Sequence, residues 1–130
     1  MLLFGHRFIE NENFYHIADI DAVIKTPPSS TLYLEFSEEN LDIISYLNNN
    51  NINFALSIAN ITELIYASTL NAKYIFVHKD LAKSSQDIAE SYLFDAKILV
   101  MIEDESEIEE FAIMGIDGVL FSRAIVKINS

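Results

Sequence analysis

What most constrains this chain is a unit that recurs from Thr31 onward: a short apolar strand, a polar capping residue and an amphipathic helix, repeated at roughly twenty-residue spacing. The strands read at 31–36, 53–58, 73–78, 97–102 and 117–122, with a helix between each pair. Ser37, Asn60, Asp80 and Asp104 stand where helices begin, and Glu63 and Glu107 follow two of them by three residues, as in a capping box. Leu41, Ile44 and Leu47 fall on one helix face, and Leu64, Ala67, Ser68 and Asn71 on the next. The third face carries Leu81, Ile88, Ala89, Tyr92 and Leu93, and the fourth Ile108, Phe111, Ala112 and Met114. Gly115 sits where a left-handed residue closes a helix. This spacing leaves no room for hairpins, so the strands should be parallel with right-handed crossovers. The near-continuous apolar runs 74–77 and 98–102 predict that both sheet faces are covered.

The expected fold is α/β: a five-stranded, mostly parallel, doubly wound (flavodoxin-like) sheet with flanking helices. The alternative is a partial (βα) barrel that completes itself by dimerising. The chain reads as one domain, 1–130, in which 1–30 form an extension and linker and 31–130 the repeated core. In the extension, 2–9 and 14–17 read as strands, with Gly5 breaking the first, and their polar connection suggests a hairpin. Pro27 and Pro28 make a stiff linker. The tail, 123–128, reads as a final helical turn.

Composition removes whole classes of function. Eight Lys and Arg against twenty Asp and Glu give a net charge of −12, which repels nucleic-acid backbones and anionic membranes. There is no cysteine, hence no disulfide framework, thiolate nucleophile or cysteine metal site. No apolar run approaches the roughly 20 residues of a membrane span. Arg7 and Glu10 end the apolar start too early for a signal peptide, so a cytoplasmic location is expected. His6, His16 and His78 lack metal-ligand spacing. With three glycines in all, only Gly118 leaves room for a phosphate to approach the backbone. No cofactor is expected.

The stretches 53–77 and Ile98-Leu-Val-Met-Ile-Glu-Asp-Glu-Ser-Glu-Ile-Glu-Glu-Phe-Ala-Ile-Met-Gly-Ile-Asp-Gly-Val-Leu-Phe resemble a response-regulator receiver domain. That resemblance places the phosphoacceptor position at His78, the acidic pair at Glu35-Phe36, the Thr/Ser position near Met101 or Ile102, and the Lys position at Ser122 or Arg123. It implies a receiver layout without phosphorylation chemistry, a pseudo-receiver. The segment Gly115-Ile-Asp-Gly-Val-Leu-Phe-Ser-Arg-Ala-Ile-Val-Lys-Ile is similar to the last strand and phosphate loop of (βα)₈ barrels of the aldolase and tryptophan synthase alpha type. There Ser122 replaces the loop glycine, Glu35 matches the catalytic Glu, and the Schiff-base Lys position falls near Val119 or Leu120.

In parallel sheets, ligands bind outside the carboxyl ends of the strands. Those ends carry Glu35, Ser57 or Asn60, His78 with Lys79, Glu103 with Asp104, and Ser122 with Arg123. Glu35, His78, Lys79, Glu103, Ser122 and Arg123 therefore form the candidate ligand rim, with His78 as a general base or a partner of Glu103 and Arg123 as an anion clamp. His6 and Arg7, beside Gly5, are a second candidate for an anion. Polar residues begin wherever strands end, so each rim position also has a purely structural explanation. The acidic run 103–110 reads as a solvated helix start, or as a docking surface for a basic partner. The function expected first is a non-catalytic interaction or regulatory module with a protein partner. The alternative is a small barrel-derived enzyme or metabolite binder with an anion site. Surplus apolar residues in 4–17 and 124–128 suggest a homodimer.

Overall fold

A computed structural model describes residues 1–128. Eight strands, β1 (Leu2–Phe4), β2 (Phe14–His16), β3 (Thr31–Glu35), β4 (Phe54–Ser57), β5 (Tyr74–Val77), β6 (Lys97–Ile102), β7 (Gly118–Phe121) and β8 (Ile125–Lys127), accompany four α-helices. The helices α1 (Leu41–Asn49), α2 (Ile61–Thr69), α3 (Ala82–Ser91) and α4 (Glu107–Ile113) link β3 through β7. The sheet runs β1-β7-β6-β5-β4-β3-β2-β8, and every pairing is parallel.

An α/β fold with a parallel sheet and flanking helices is thus what the repeat predicts, but the sheet is larger than five strands and differently wound. From β2 to β7 the spatial order follows the chain, so each crossover turns the same way and no strand order reverses. Helices wound in one direction share one sheet face, and the sheet curls away from them. The link from β7 to β8 is a 3₁₀ turn at Ser122–Ala124, yet the two strands stand near opposite ends of the sheet. The four Cα steps from Phe121 to Ile125 reach at most about 14 Å, so the two ends are drawn together into a partial barrel.

The flanking segments depart most from expectation. The first two strands do not form a hairpin: β1 pairs with β7 and β2 with β3. The tail begins in the 3₁₀ turn Ser122–Ala124 and then continues as a strand, β8, lying parallel to β2. Gly5 makes this closure possible. It has φ +73, and a Cβ there would lie 3.0 Å from the Ala124 backbone nitrogen.

The curled sheet separates two apolar layers, because successive strand residues point to opposite faces. Outside, Leu32, Leu34, Leu56, Ile75, Val100 and Val119 pack against Ile44, Leu47, Leu64, Ala67, Ala89 and Phe111 of the helices. Inside, Phe4, Phe14, Ala55, Tyr74, Phe76, Leu99, Leu120 and Ala124 form a second cluster with no helix residue. At Gly118 the inner layer leaves no room for a side chain, since a Cβ would meet Leu99 Cδ2 at 2.7 Å and the Leu2 backbone oxygen at 2.8 Å. Its space is therefore occupied by protein. Part of the apolar surplus of both termini is consumed in these layers: Phe4, Phe14, Ile17 and Ala124 are buried, whereas Phe8 and Ile9 are exposed.

The amino end of the barrel is plugged by Glu12. Its carboxylate accepts bonds from Thr31 Oγ1 at 2.6 Å and the Tyr74 hydroxyl at 3.0 Å. The expected inner face of α3 also shifts. Ala82, Ser85, Gln86 and Ala89 turn inward, whereas Tyr92 and Leu93 are exposed beyond the helix end, Leu93 at φ +54. Asp80 caps no helix, because Lys79–Leu81 is already a 3₁₀ turn when α3 begins.

Candidate functional site

With the amino end closed, the carboxyl ends of the strands form the open mouth. The period-two alternation that fills the interior with aromatic rings brings polar side chains to the rim one step later. His16 follows Phe14, Glu35 follows Tyr33, Ser57 follows Ala55, and His78 follows Phe76. Between β3 and β6 the mouth opens into a cavity of about 680 Å³, within the usual range for small-molecule sites.

Four of the six predicted rim residues, Glu35, His78, Lys79 and Glu103, line this cavity together with Tyr33, Ser57, Glu63 and Asp80. Its walls are Phe36, Ile58, Phe76, Val77 and Met101. Ser122 and Arg123 are not brought to it. They lie in the turn before β8, where the Arg123 stem packs beside Gly5. Asn60 caps α2, its Oδ1 accepting from Glu63 N–H, whereas Asp104 lies in the turn before α4, its Oδ1 accepting from Ser106 N–H.

His6 and Arg7 converge on Glu105 instead. Phe8 N–H donates to His6 Nδ1, so Nε2 is the donor facing Glu105 at 3.0 Å. Arg7 grips the same carboxylate through Nε at 2.8 Å and Nη2 at 3.3 Å. The bond to Arg7 holds the Glu105 carboxyl below its ordinary range. The pair ties the loop after β1 to the loop after β6, leaving the Arg7 fork engaged.

Polar groups inside the mouth are likewise positioned by neighbours. The Tyr33 hydroxyl donates to Ser57 Oγ at 3.3 Å. Burial raises its pKa, the Ser57 bond opposes that shift, and Glu35 adds to it. The phenol thus stays protonated, a donor at the cavity wall. His16 Nε2 lies 3.3 Å from Glu35 Oε1, and its ring packs against Tyr33 with centroids 4.7 Å apart. The sequence reading missed Tyr33 as a lining residue, and His16 as the neighbour that faces Glu35 from outside the lining. Their alternation with Phe14 and Glu35 was the available signal, hidden by assigning 14–17 to a hairpin.

Charge at the mouth is predominantly acidic. Among the described residues lining the cavity, Glu35, Glu63, Asp80 and Glu103 face a single Lys, Lys79. Lys79 forms an ion pair with Glu107, a bond that raises its pKa. Glu107 also accepts from the backbone N–H groups of Glu103 and Asp104. Among the described residues, no three or more His, Asp or Glu side chains are placed to hold a metal ion. No described helix is long and apolar enough to cross a membrane. The arrangement can hold a small molecule by hydrogen bonds from Tyr33, Ser57 and His78 while apolar walls take its body. Neither a family model nor a curated protein matches the chain.

Proposed function

We propose that this protein binds a small organic molecule in the mouth of its partial barrel. The carrying observation is that Glu35, His78, Lys79 and Glu103, four residues from three separate loops and strand ends, line one cavity with apolar walls. Of the two functions expected from the sequence, this favours the barrel-derived metabolite binder. The anion clamp assigned there to Arg123 has no part in it, since Arg123 lies outside the cavity. Binding is proposed rather than turnover, because among the described residues no hydroxyl lining the cavity is paired with a base that would activate it. Ser57 Oγ, for example, accepts a bond from Tyr33.

A thermal-shift screen of neutral, cationic and anionic metabolites tests the reading against Met101→Trp. Met101 is partly exposed on the cavity wall, so the larger ring should fill the space without unfolding the chain. Ligands should stabilise the wild type and lose that effect in the variant. A complete absence of hits, or hits unaffected by the variant, would remove the proposal.

The interaction-module reading, with a homodimer as its simplest form, stands second. It is favoured by Phe8, Ile24, Tyr92, Leu93 and Ile113, each more than 70% exposed. Light scattering at physiological ionic strength separates the cases: a mass near 14.8 kDa at all concentrations removes the dimer.

A further inference from the structure

We infer that the molecule held in the mouth is an organic cation, a protonated amine with an apolar body. The inference rests on the proposed binding cavity and assigns its ligand class.

The argument begins with which charges are already engaged. Lys79 is bonded to Glu107 outside the cavity lining. Glu35 faces His16, and Glu63 accepts the Ala59 N–H as part of the cap of α2. Asp80 and Glu103 also line the cavity; among the described residues their carboxylates accept no hydrogen bond, and Glu103 acts on Lys79 only through its charge. An anionic ligand would bring further negative charge to these two carboxylates and would have to break the Lys79–Glu107 pair to find a cation. It would also meet no glycine-rich backbone, because Gly118 is enclosed by Leu2 and Leu99 and Gly5 by Ala124.

A protonated amine meets the opposite situation. Its N–H groups donate to carboxylates that lack donors, giving charge-assisted bonds. Its carbon body lies against Phe36, Phe76 and Met101, and aromatic faces attract cations. The net charge of −12 raises the local concentration of any cation near the mouth. A neutral ligand would gain the walls but not the carboxylates.

Calorimetric titration with benzylammonium, benzyl alcohol and benzoate at pH 8 compares one shape in three charge states. Wild type should bind benzylammonium most tightly and benzoate least. The double variant Asp80→Asn, Glu103→Gln should weaken benzylammonium about tenfold and leave benzyl alcohol within about twofold. Both positions are exposed and both replacements are isosteric, so an unchanged melting temperature should accompany the loss. Benzoate binding as tightly as benzylammonium, or a double variant that binds benzylammonium normally, overturns the cation inference. The small-molecule reading then survives if binding is still abolished by Met101→Trp. Silence from all three probes also overturns the inference, and the broader metabolite screen decides the underlying reading separately.

Discussion

The rings of Phe4 and Phe14 lie 5.0 Å apart, although their strands, β1 and β2, share no hydrogen bond and are separated by five others in the sheet. Only a sheet curled back on itself can bring them together. Phe14 also meets Tyr74 at 5.4 Å and Phe76 at 5.0 Å, so it joins both sides of the interior. Removing its ring should leave a cavity that neighbouring strands cannot close. Phe14→Ala is expected to lower stability by about 3–5 kcal/mol in urea unfolding. A loss below about 1 kcal/mol would show that the interior is not packed as described.

Gly118 provides a second test of the interior. An added methyl would overlap Leu99 and, less avoidably, the Leu2 backbone oxygen. Gly118→Ala should cost about 1–3 kcal/mol through overpacking, and Leu99→Ala should relieve only part of that cost. At Gly115 a Cβ would meet no atom within 4 Å, but φ is +79. Gly115→Asn should therefore be better tolerated, because asparagine accepts the left-handed conformation. Equal costs at both positions would contradict this packing.

The plug at the amino end has an alkaline signature. Burial, the charge of Glu12 and the hydrogen bond to its carboxylate raise the Tyr74 pKa to about 12. The folded state therefore holds its phenolic proton more tightly than the unfolded chain, where the value is 10.0. The associated stability is complete below pH 10 and is lost as pH rises through 12. In an absorbance titration of the tyrosines, one phenol should ionise near pH 12, and Tyr74→Phe should remove that step. A late step that persists in Tyr74→Phe would assign it elsewhere.

At the mouth, the Arg7–Glu105 tie should respond to acid in the opposite sense. The Arg7 bond lowers the Glu105 pKa, so this interaction is present above the ordinary carboxylate range and is lost as pH falls through the lowered value. The Arg7 Nε–H resonance should therefore shift only below pH 4.5, the unperturbed value for Glu. In Glu105→Gln that acid transition should vanish, and amide exchange at His6 and Phe8 should quicken. Unchanged exchange would mean that the loop after β1 is held by other contacts.

The parts that were legible in the sequence share a physical property. β3 to β7 are buried on both faces and joined by helices, so apolar runs alternate with amphipathic ones. Asn60 with Glu63 and Asp104 with Glu107 mark helix starts by local bonds alone. β1, β2 and β8 are three residues each, too short for a pattern to establish. Their partners are distant, as with Leu2 opposite Gly118, and no local preference encodes such pairing. The curl was legible only as the alternative, a partial barrel, for the same reason, since it depends on where the ends pair. Glu35, His78, Lys79 and Glu103 were readable as strand-end positions. Arg123 was read correctly as following a strand, but the turn into β8 takes it away from the cavity.

The most direct test of a ligand-binding mouth is residue-resolved. ¹H–¹⁵N correlation spectra of the labelled protein, recorded during titration with each stabilising metabolite, report where it binds. Shifts should cluster at Ser57–Ala59, Val77–Asp80 and Met101–Glu103, the segments that line the cavity, and disappear in Met101→Trp. Perturbations gathered instead on the exposed outer helices around Tyr92 and Ile113, or at the Glu12 plug, would contradict the account.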